Sequence, residues 1–356
     1  MALVGRPALA AVGGFICSGK TEIILSAARL LMSSGTSVAA VLPHEKRGSL
    51  DAEYLTFNGI STAALNGAEA LDTAQSAMAF TNAGADIVFV KAEAPRPDIR
   101  RGFLDGIKTG VAGDMRMLPY TVVASPGQVE GNIRDSGGLS PYMNYILATQ
   151  MEEADILLLS VADDEDEKRA AYIEKALEDR FAARIMTACP YSGRGMSEWL
   201  DCILSGEYLT RERIKADDGA YERAARETGC LNTRLTVKCD EGADMNSFVM
   251  SLAERVSDGV PYGAAQIKVC AFAETGVAKA GSQARSSAPT LVSGMSAAAR
   301  EAVVMLEVKA AMPSRRLAYM AEMAICGVCD DFVSEGYNMG SEYFELGGIE
   351  PVASIG

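Results

Sequence analysis

Residues 14–21 combine two glycines, a lysine and a hydroxyl side chain at a fixed spacing. They match G-x-x-x-x-G-K-[ST] without a mismatch, between an apolar run at 8–12 and a helical pattern from Glu22 to about Ser34. Glycines let successive backbone N–H groups turn toward phosphate oxygens, and the start of a helix adds a positive dipole end. Lys20 would bridge the β- and γ-phosphates, and Thr21 would offer its hydroxyl to Mg²⁺. The sequence therefore predicts a phosphate-binding loop; the alternative is an ordinary glycine turn.

The residues expected to contact nucleotide in this loop are Gly14, Cys17, Ser18, Gly19, Lys20, Thr21 and Glu22. A second apolar run at 36–42 leads into a polar loop at 43–51, which contains Glu45 and Asp51. Loops at the carboxyl ends of parallel strands are where an α/β sheet presents its ligands, so both carboxylates are candidates for catalysis and for holding Mg²⁺. Solvated loop charge is the equal alternative. Glu93, just after the apolar run at 86–90, is a further Mg²⁺ candidate, although Lys91 lies nearer to the end of that run.

Composition narrows the class of protein. The chain has 356 residues, 49% of them hydrophobic and 22% charged, which is ordinary for a globular protein with two cores. A net charge of −14 disfavours nucleic acid and anionic membranes as partners. Because no apolar run approaches ~20 residues and no basic-then-apolar leader precedes the first strand, we expect a cytoplasmic protein.

The eight cysteines are scattered, as expected for reduced thiols. One close pair, Cys326 and Cys329, forms a C-x-x-C that could be half of a metal site, a redox pair or two buried small residues; the last is favoured because no second pair has zinc spacing. The single histidine, His44, excludes sites that need several histidines.

The order of the apolar segments predicts the fold. In the first half, near-continuous apolar runs at 86–90, 119–124, 154–161 and 183–188 alternate with helical stretches at 67–84, 145–153 and 196–204, and a Gly/Ser-rich loop reaches about Ser140. This pattern is typical of a doubly wound, mainly parallel sheet.

In the second half of the chain the apolar residues follow a different spacing. Alternating segments at 231–237, 265–273 and 302–309 and helices at 245–256 and 314–325 predict a smaller α+β domain with an antiparallel sheet, with a loop at 276–289. The predicted organisation is a phosphate-loop domain over 1–205, a helical linker over 206–229, the α+β domain over 230–328 and an irregular tail over 329–356.

The order of these pieces resembles the CobW/HypB/UreG class of P-loop GTPases. The resemblance is carried by residues 13–21 (GGFICSGKT), by the strand and loop at 38–51, by 153–156, and by 188–200 (ACPYSGRGMSEWL), and it covers roughly 8–326. It is nearest to CobW-like proteins encoded beside corrinoid-dependent methyltransferases. It implies GTP or ATP as ligand, Mg²⁺ as cofactor, and a chaperone or insertase that delivers a metal or corrinoid cofactor to a partner protein. It also implies that Asp163, Cys189 and Pro190 lie against the base.

Departures from the family pattern affect specificity and catalysis. Residues 160–163 (SVAD) replace N-K-x-D, which predicts only a weak preference for GTP over ATP, and residues 66–71 lack the family's cysteine metal motif. Residues 91–94 (KAEA) replace E-x-x-G, and Ser125 follows the fourth strand where an aspartate is expected. We therefore expect hydrolysis to be slow. The alternative is a non-hydrolysing pseudo-GTPase that serves as a nucleotide-sensing or structural subunit; a small-molecule kinase is disfavoured because the first domain has no arginine-rich lid.

Overall fold

The computed structural model describes residues 5–44, 49–66, 69–92, 99–134, 140–162, 164–177, 182–208, 217–260, 265–282, 288–332, 336–345 and 353–355. The backbone divides into two compact units, Met1–Tyr221 and Glu222–Gly356. The division falls inside the expected linker, in helix α9 (Asp218–Glu227). In the described part of the chain, no helix is long and apolar enough to cross a membrane.

The first unit is an α/β structure. Its elements, in chain order, are β1 (Ala8–Gly14), α1 (Lys20–Ser33), β2 (Val38–His44), α2 (Leu50–Phe57), β3 (Ser61–Asn66), α3 (Ala70–Asn82), β4 (Ile87–Lys91), a π-helical turn (Arg100–Leu104), α4 (Asp105–Gly110), β5 (Arg116–Met117), β6 (Thr121–Ala124), α5 (Pro126–Ile133), α6 (Pro141–Glu153), β7 (Ile156–Ser160), α7 (Asp164–Leu177), β8 (Arg184–Ala188) and α8 (Met196–Ser205).

One parallel sheet organises this unit. Its strand order is β3-β2-β4-β1-β6-β7-β8, and the short β5 pairs with the start of β1. Every residue of β1, β4, β6 and β7 is buried. Strands with both faces covered need apolar side chains on both faces, which is why these strands read as continuous apolar runs. The expected doubly wound parallel sheet is confirmed.

Several elements of the first unit were not expected, among them α2, β3, α4 and α5. The edge strand β3 has half-exposed residues and no continuous apolar run. Helix α5 lies where the sequence predicts a Gly/Ser-rich loop, so that expectation is wrong for Pro126–Ile133. Ser125 caps α5, with its Oγ accepting from the Gln128 N–H, and Pro126 follows at the first helical position.

The second unit is an antiparallel sheet covered by two helices. After the end of α9 its elements are β9 (Gly229–Ala243), α10 (Met245–Gly259), β10 (Ala265–Ala273), β11 (Gly276–Ser282), β12 (Thr290–Ser293), β13 (Ala299–Ala310), α11 (Ser314–Phe332), β14 (Gly336–Glu345) and β15 (Ala353–Ile355). The strand order is β12-β11-β10-β13-β9-β14-β15. Leu231, Val269 and Val304 of the strands share one core with Phe248 and Leu317 of the helices. The predicted α+β class is confirmed.

Two expectations for this unit are corrected. The segment 276–289, expected as a loop, begins with β11, which pairs with β10 over seven residues. The tail after Cys329, expected to be irregular, continues α11 to Phe332 and then adds β14 along β9. Strand β11 forms a hairpin with β10, and β14 pairs with the distant β9; a local apolar pattern reveals neither pairing.

Candidate phosphate-binding site

The predicted loop leaves the middle of the parallel sheet. Strand β1 lies between β4 and β6 and ends at Gly14, and α1 begins at Lys20. Gly14 has φ 131°, and a Cβ atom there would lie 2.1 Å from the carbonyl oxygen of Val123 in β6. Only glycine fits this turn, because both the backbone conformation and the close strand exclude a side chain.

Three backbone positions curl the loop. Gly14, Cys17 and Gly19 all have positive φ, with 62° at Cys17 and 85° at Gly19. Among the described residues Cys17 is the one non-glycine residue with a positive φ. This conformation is uncommon for a residue with a side chain and marks a constrained backbone. Gly19 is the N-cap of α1 and, as a glycine, offers no side-chain cap to the first turn of that helix. An anion is the natural acceptor at such a position.

The lysine of the motif is held inside the loop. Its Nζ donates to the carbonyl oxygens of Gly14 at 2.9 Å and Phe15 at 2.6 Å, and to Ser18 Oγ at 3.3 Å. Lys20 and Thr21 are both buried. The contacts fix the ammonium among the loop's own oxygens, where a phosphate oxygen would add a charged acceptor.

Gln128 supports the loop from outside. Its Nε2 donates to the carbonyl oxygen of Ile16 at 2.6 Å, and its Oε1 accepts from the Ser125 N–H at 3.2 Å. The same glutamine thereby completes the cap of α5 and fixes the middle of the phosphate loop. Sequence reasoning missed this residue; the available signal was the capping-box spacing of Ser125 and Gln128 directly after an apolar run.

Asp51 forms a buried ion pair. Its Oδ2 lies 2.6 Å from Nζ of Lys91, the last residue of β4, and the side chains are 2% and 6% exposed. Its assignment as a catalytic and Mg²⁺-binding residue stays a prediction that this ion pair does not favour. Glu45 and Glu93, the other expected Mg²⁺ carboxylates, lie outside the described residues.

The expected base-binding segments follow β7 and β8. Ser160 ends β7 beside the loop, with its Oγ 3.0 Å from where a Cβ on Gly19 would lie. Asp163 lies outside the described residues. After β8, the N–H of buried Cys189 donates to the carbonyl oxygen of Arg194 at 2.9 Å, and Pro190 follows in the same turn. Both segments leave the carboxyl edge of the sheet, as the phosphate loop does, so the structure places them on the expected side.

The C-x-x-C pair lies on α11. Burial raises the pKa of the Cys329 thiol to about 12, so this sulfur is a protonated thiol at neutral pH. Across the described residues, no group of three or more histidine, cysteine, aspartate or glutamate side chains is arranged to hold a metal ion. Cys329 is buried and Cys326 is half-buried, and the alternatives for this pair stay predictions.

The fit of Mg²⁺ can be judged from the same contacts. Thr21 supplies a hydroxyl at the start of α1, which suits the ion. At the end of β4, however, the chain places a buried ammonium where P-loop proteins commonly use a carboxylate, and Asp51 is its partner. Among the described residues the donor set is therefore poor for Mg²⁺.

Comparisons with known proteins add little to this geometry. No protein-family model matches the sequence, and no curated protein is detectably similar to it. Among solved structures, an LAO/AO transport system kinase is 16% identical over 57% of this chain and 60% of its own length, with a TM-score of 0.39. The hydrogenase maturation factor HypB from Archaeoglobus fulgidus is 19% identical over 55% of this chain and 87% of its own, with a TM-score of 0.34. The Zn(II)-bound YjiA GTPase from E. coli is 14% identical over 91% of this chain and 99% of its own, with a TM-score of 0.37. Likenesses this loose carry no functional argument.

Proposed function

We propose that the first unit binds a nucleoside triphosphate with its polyphosphate in the loop from Gly14 to Thr21. The observation that carries the proposal is the curled backbone at Gly14, Cys17 and Gly19, which meets an uncapped helix start and the buried ammonium of Lys20. Backbone N–H groups, a helix dipole and a lysine together form an anion cradle of the kind that P-loop proteins use. GTP and ATP are the candidate ligands, with weak discrimination expected from residues 160–163.

We further propose that any hydrolysis is slow. Two positions where the resembling family carries activating residues are occupied here by internal contacts: Lys91 pairs with Asp51, and Ser125 caps α5. Lys20 would neutralise charge that develops on the transferred phosphoryl group. The same two contacts favour the second candidate, a non-hydrolysing pseudo-GTPase that acts as a nucleotide-sensing or structural subunit.

The wider role that we propose is handling of a metal or corrinoid cofactor for a partner protein such as a methyltransferase. It rests on the resemblance of the phosphate loop and of residues 188–200 to the CobW/HypB/UreG class. This role predicts that the nucleotide state changes the affinity of the chain for a divalent metal ion or for a corrinoid. Equilibrium dialysis with each cargo, in the presence of triphosphate and then of diphosphate, measures that change.

The test of nucleotide binding is calorimetric titration of the purified chain with GTP and with ATP, together with phosphate release. We expect Lys20→Ala to weaken binding and to slow any turnover by about 10²–10³-fold, because one preorganised charge contact in a closed site is lost. Lys175→Ala, at an exposed lysine of α7 in the same unit, is the matched control and should leave both unchanged. Turnover that depends on Lys20 supports a slow NTPase, and binding without turnover supports the pseudo-GTPase. If neither GTP nor ATP binds, the proposal is overturned.

A further inference from the structure

A buried ion pair stands beside the phosphate loop and is not explained by phosphate binding itself. Lys91 ends β4, and Asp51 lies in the first turn of α2, forty positions earlier in the chain. The two charged atoms are 2.6 Å apart and almost fully removed from solvent. Removing two charges from water is costly, so a close and enclosed pair of this kind is retained only where the structure holds both partners in place.

The pair is placed where a metal ion would be expected. In the parallel register Lys91 lies opposite Val12 of β1, two residues before Gly14, and the Ala92 N–H donates to the Val12 carbonyl oxygen at 2.9 Å. Helix α1, which carries Thr21, packs against both β4 and α2. The ion pair therefore shares a face of the sheet with the helix that opens the phosphate-binding site.

Charge decides what this position can hold. A P-loop protein commonly has a carboxylate at the end of the strand beside β1, and that carboxylate helps to hold Mg²⁺. Lys91 brings a buried positive charge to this position, and its ammonium already engages Asp51. A dication added beside the buried ammonium would meet a like charge in a site with little water to screen it.

We propose that the Lys91–Asp51 ion pair replaces the metal-holding carboxylate beside the phosphate loop, so that this chain binds nucleoside triphosphate without a divalent cation. The inference rests on the proposed nucleotide binding and adds its metal independence. Lys91 is here a positioning residue: its ammonium engages Asp51, while Lys20 and the loop amides contact the phosphates.

The experiment compares nucleotide affinity in excess EDTA and in excess Mg²⁺, measured by calorimetry with GTP and with ATP on the full chain. For the wild-type protein we expect the two affinities to differ by less than about tenfold. A loss of about tenfold or more in EDTA overturns the metal independence and leaves nucleotide binding intact. No binding in either buffer overturns the proposed function instead, so the two failures are distinguishable.

Variants assign the effect to the ion pair. Lys91→Met keeps the length of the side chain and leaves Asp51 without its ammonium, so Mg²⁺ should now raise nucleotide affinity by about tenfold or more. Lys91→Arg keeps the charge and should behave as the wild type. Lys268→Met removes the cation of a shielded pair with Glu307 in the second unit and should not create metal dependence. If Lys91→Met folds and remains metal-independent, the ion pair is not the cause and the proposal fails; if it does not fold, the wild-type comparison still decides the claim.

Discussion

Two buried glutamines on neighbouring helices are expected to respond differently to the same substitution. Gln128 of α5 donates to the phosphate loop, whereas Gln150 of α6 is 0% exposed and, within the described part of the chain, neither its Nε2 nor its Oε1 has a hydrogen-bond partner. Gln→Leu is nearly isosteric, so the two variants change polarity far more than volume. We expect Gln128→Leu to destabilise the first unit and Gln150→Leu to be neutral or stabilising.

The magnitude follows from the contacts that are lost. Gln128→Leu leaves the buried carbonyl oxygen of Ile16 unpaired and removes the acceptor of the Ser125 N–H. Leaving a buried polar group unsatisfied costs about 1–3 kcal/mol. If the loop keeps its conformation, the loss appears in the free energy of unfolding; if the loop relaxes, nucleotide must restore it and affinity falls about five- to 150-fold. Gln150→Leu removes two amide atoms that are already unpaired, so its free energy of unfolding should rise by about 1 kcal/mol or stay the same.

The assay uses a probe that the first unit supplies. Trp199 is the chain's one tryptophan, is buried in α8, and donates from Nε1 to Thr121 Oγ1 of β6 at 3.1 Å. Its fluorescence during urea unfolding therefore reports on the first unit, and calorimetry with nucleotide reports on the loop. The reasoning is refuted if Gln128→Leu changes neither quantity, or if Gln150→Leu lowers the free energy of unfolding by 1 kcal/mol or more, since that loss would require a real partner for its amide.

Three further outcomes are expected. Asp244 caps α10 and accepts from Ser247 Oγ, and this hydrogen bond is the main cause that lowers the pKa of Asp244. At neutral pH, Asp244→Ala should lower the stability of α10 by about 0.5–2 kcal/mol, measured by hydrogen exchange of the α10 amides. The difference in stability from the wild type should shrink as pH falls through the lowered pKa, because the aspartate is then protonated. Burial raises the pKa of Cys329 to about 12, so its thiol should resist alkylation at pH 8 in the folded chain and react after unfolding. Mass spectrometry of the alkylated peptides measures this, and labelling of Cys329 in the native state would contradict it. Burial raises the pKa of Tyr120, whose hydroxyl has no hydrogen-bond partner among the described residues. Tyr120→Phe should therefore leave the free energy of unfolding, measured by Trp199 fluorescence, unchanged or raise it by about 1 kcal/mol. A clear decrease in that free energy would reveal a partner for the hydroxyl.

The central strands could be predicted because burial of both faces produces a continuous run of apolar residues in the sequence. In β1, β4 and β7 both faces are covered, so every position is apolar except the terminal Lys91 and Ser160, and the phosphate-loop motif fixes the turn from β1 into α1. The edge strand β3 lacks this signature because, within the described part of the chain, only β2 pairs with it. Strand β11 is built mainly from small residues, with Val277 and Lys279 placed among them, and a Cβ at Gly281 would lie 2.4 Å from the Ile267 carbonyl oxygen of β10, so close strand pairing decides its structure.

The support of the site could not be predicted for a related reason. Gln128 meets Ile16 across 112 positions of sequence, and Lys91 meets Asp51 across 40. Neither contact leaves a periodic pattern, and each depends on which strands become neighbours in the sheet. The sequence predicts Lys91 near the end of β4 and Asp51 as a Mg²⁺ candidate, but it does not predict that these two side chains pair.

The measurement that tests the central claim most directly is hydrogen exchange of the backbone amides at residues 13–22, followed by mass spectrometry with and without nucleoside triphosphate. Phosphate oxygens should accept from the loop amides, so exchange should slow in this segment on adding nucleotide and should not slow in Lys20→Ala. Binding that leaves these amides unprotected, or protection confined to another part of the chain, would contradict the account.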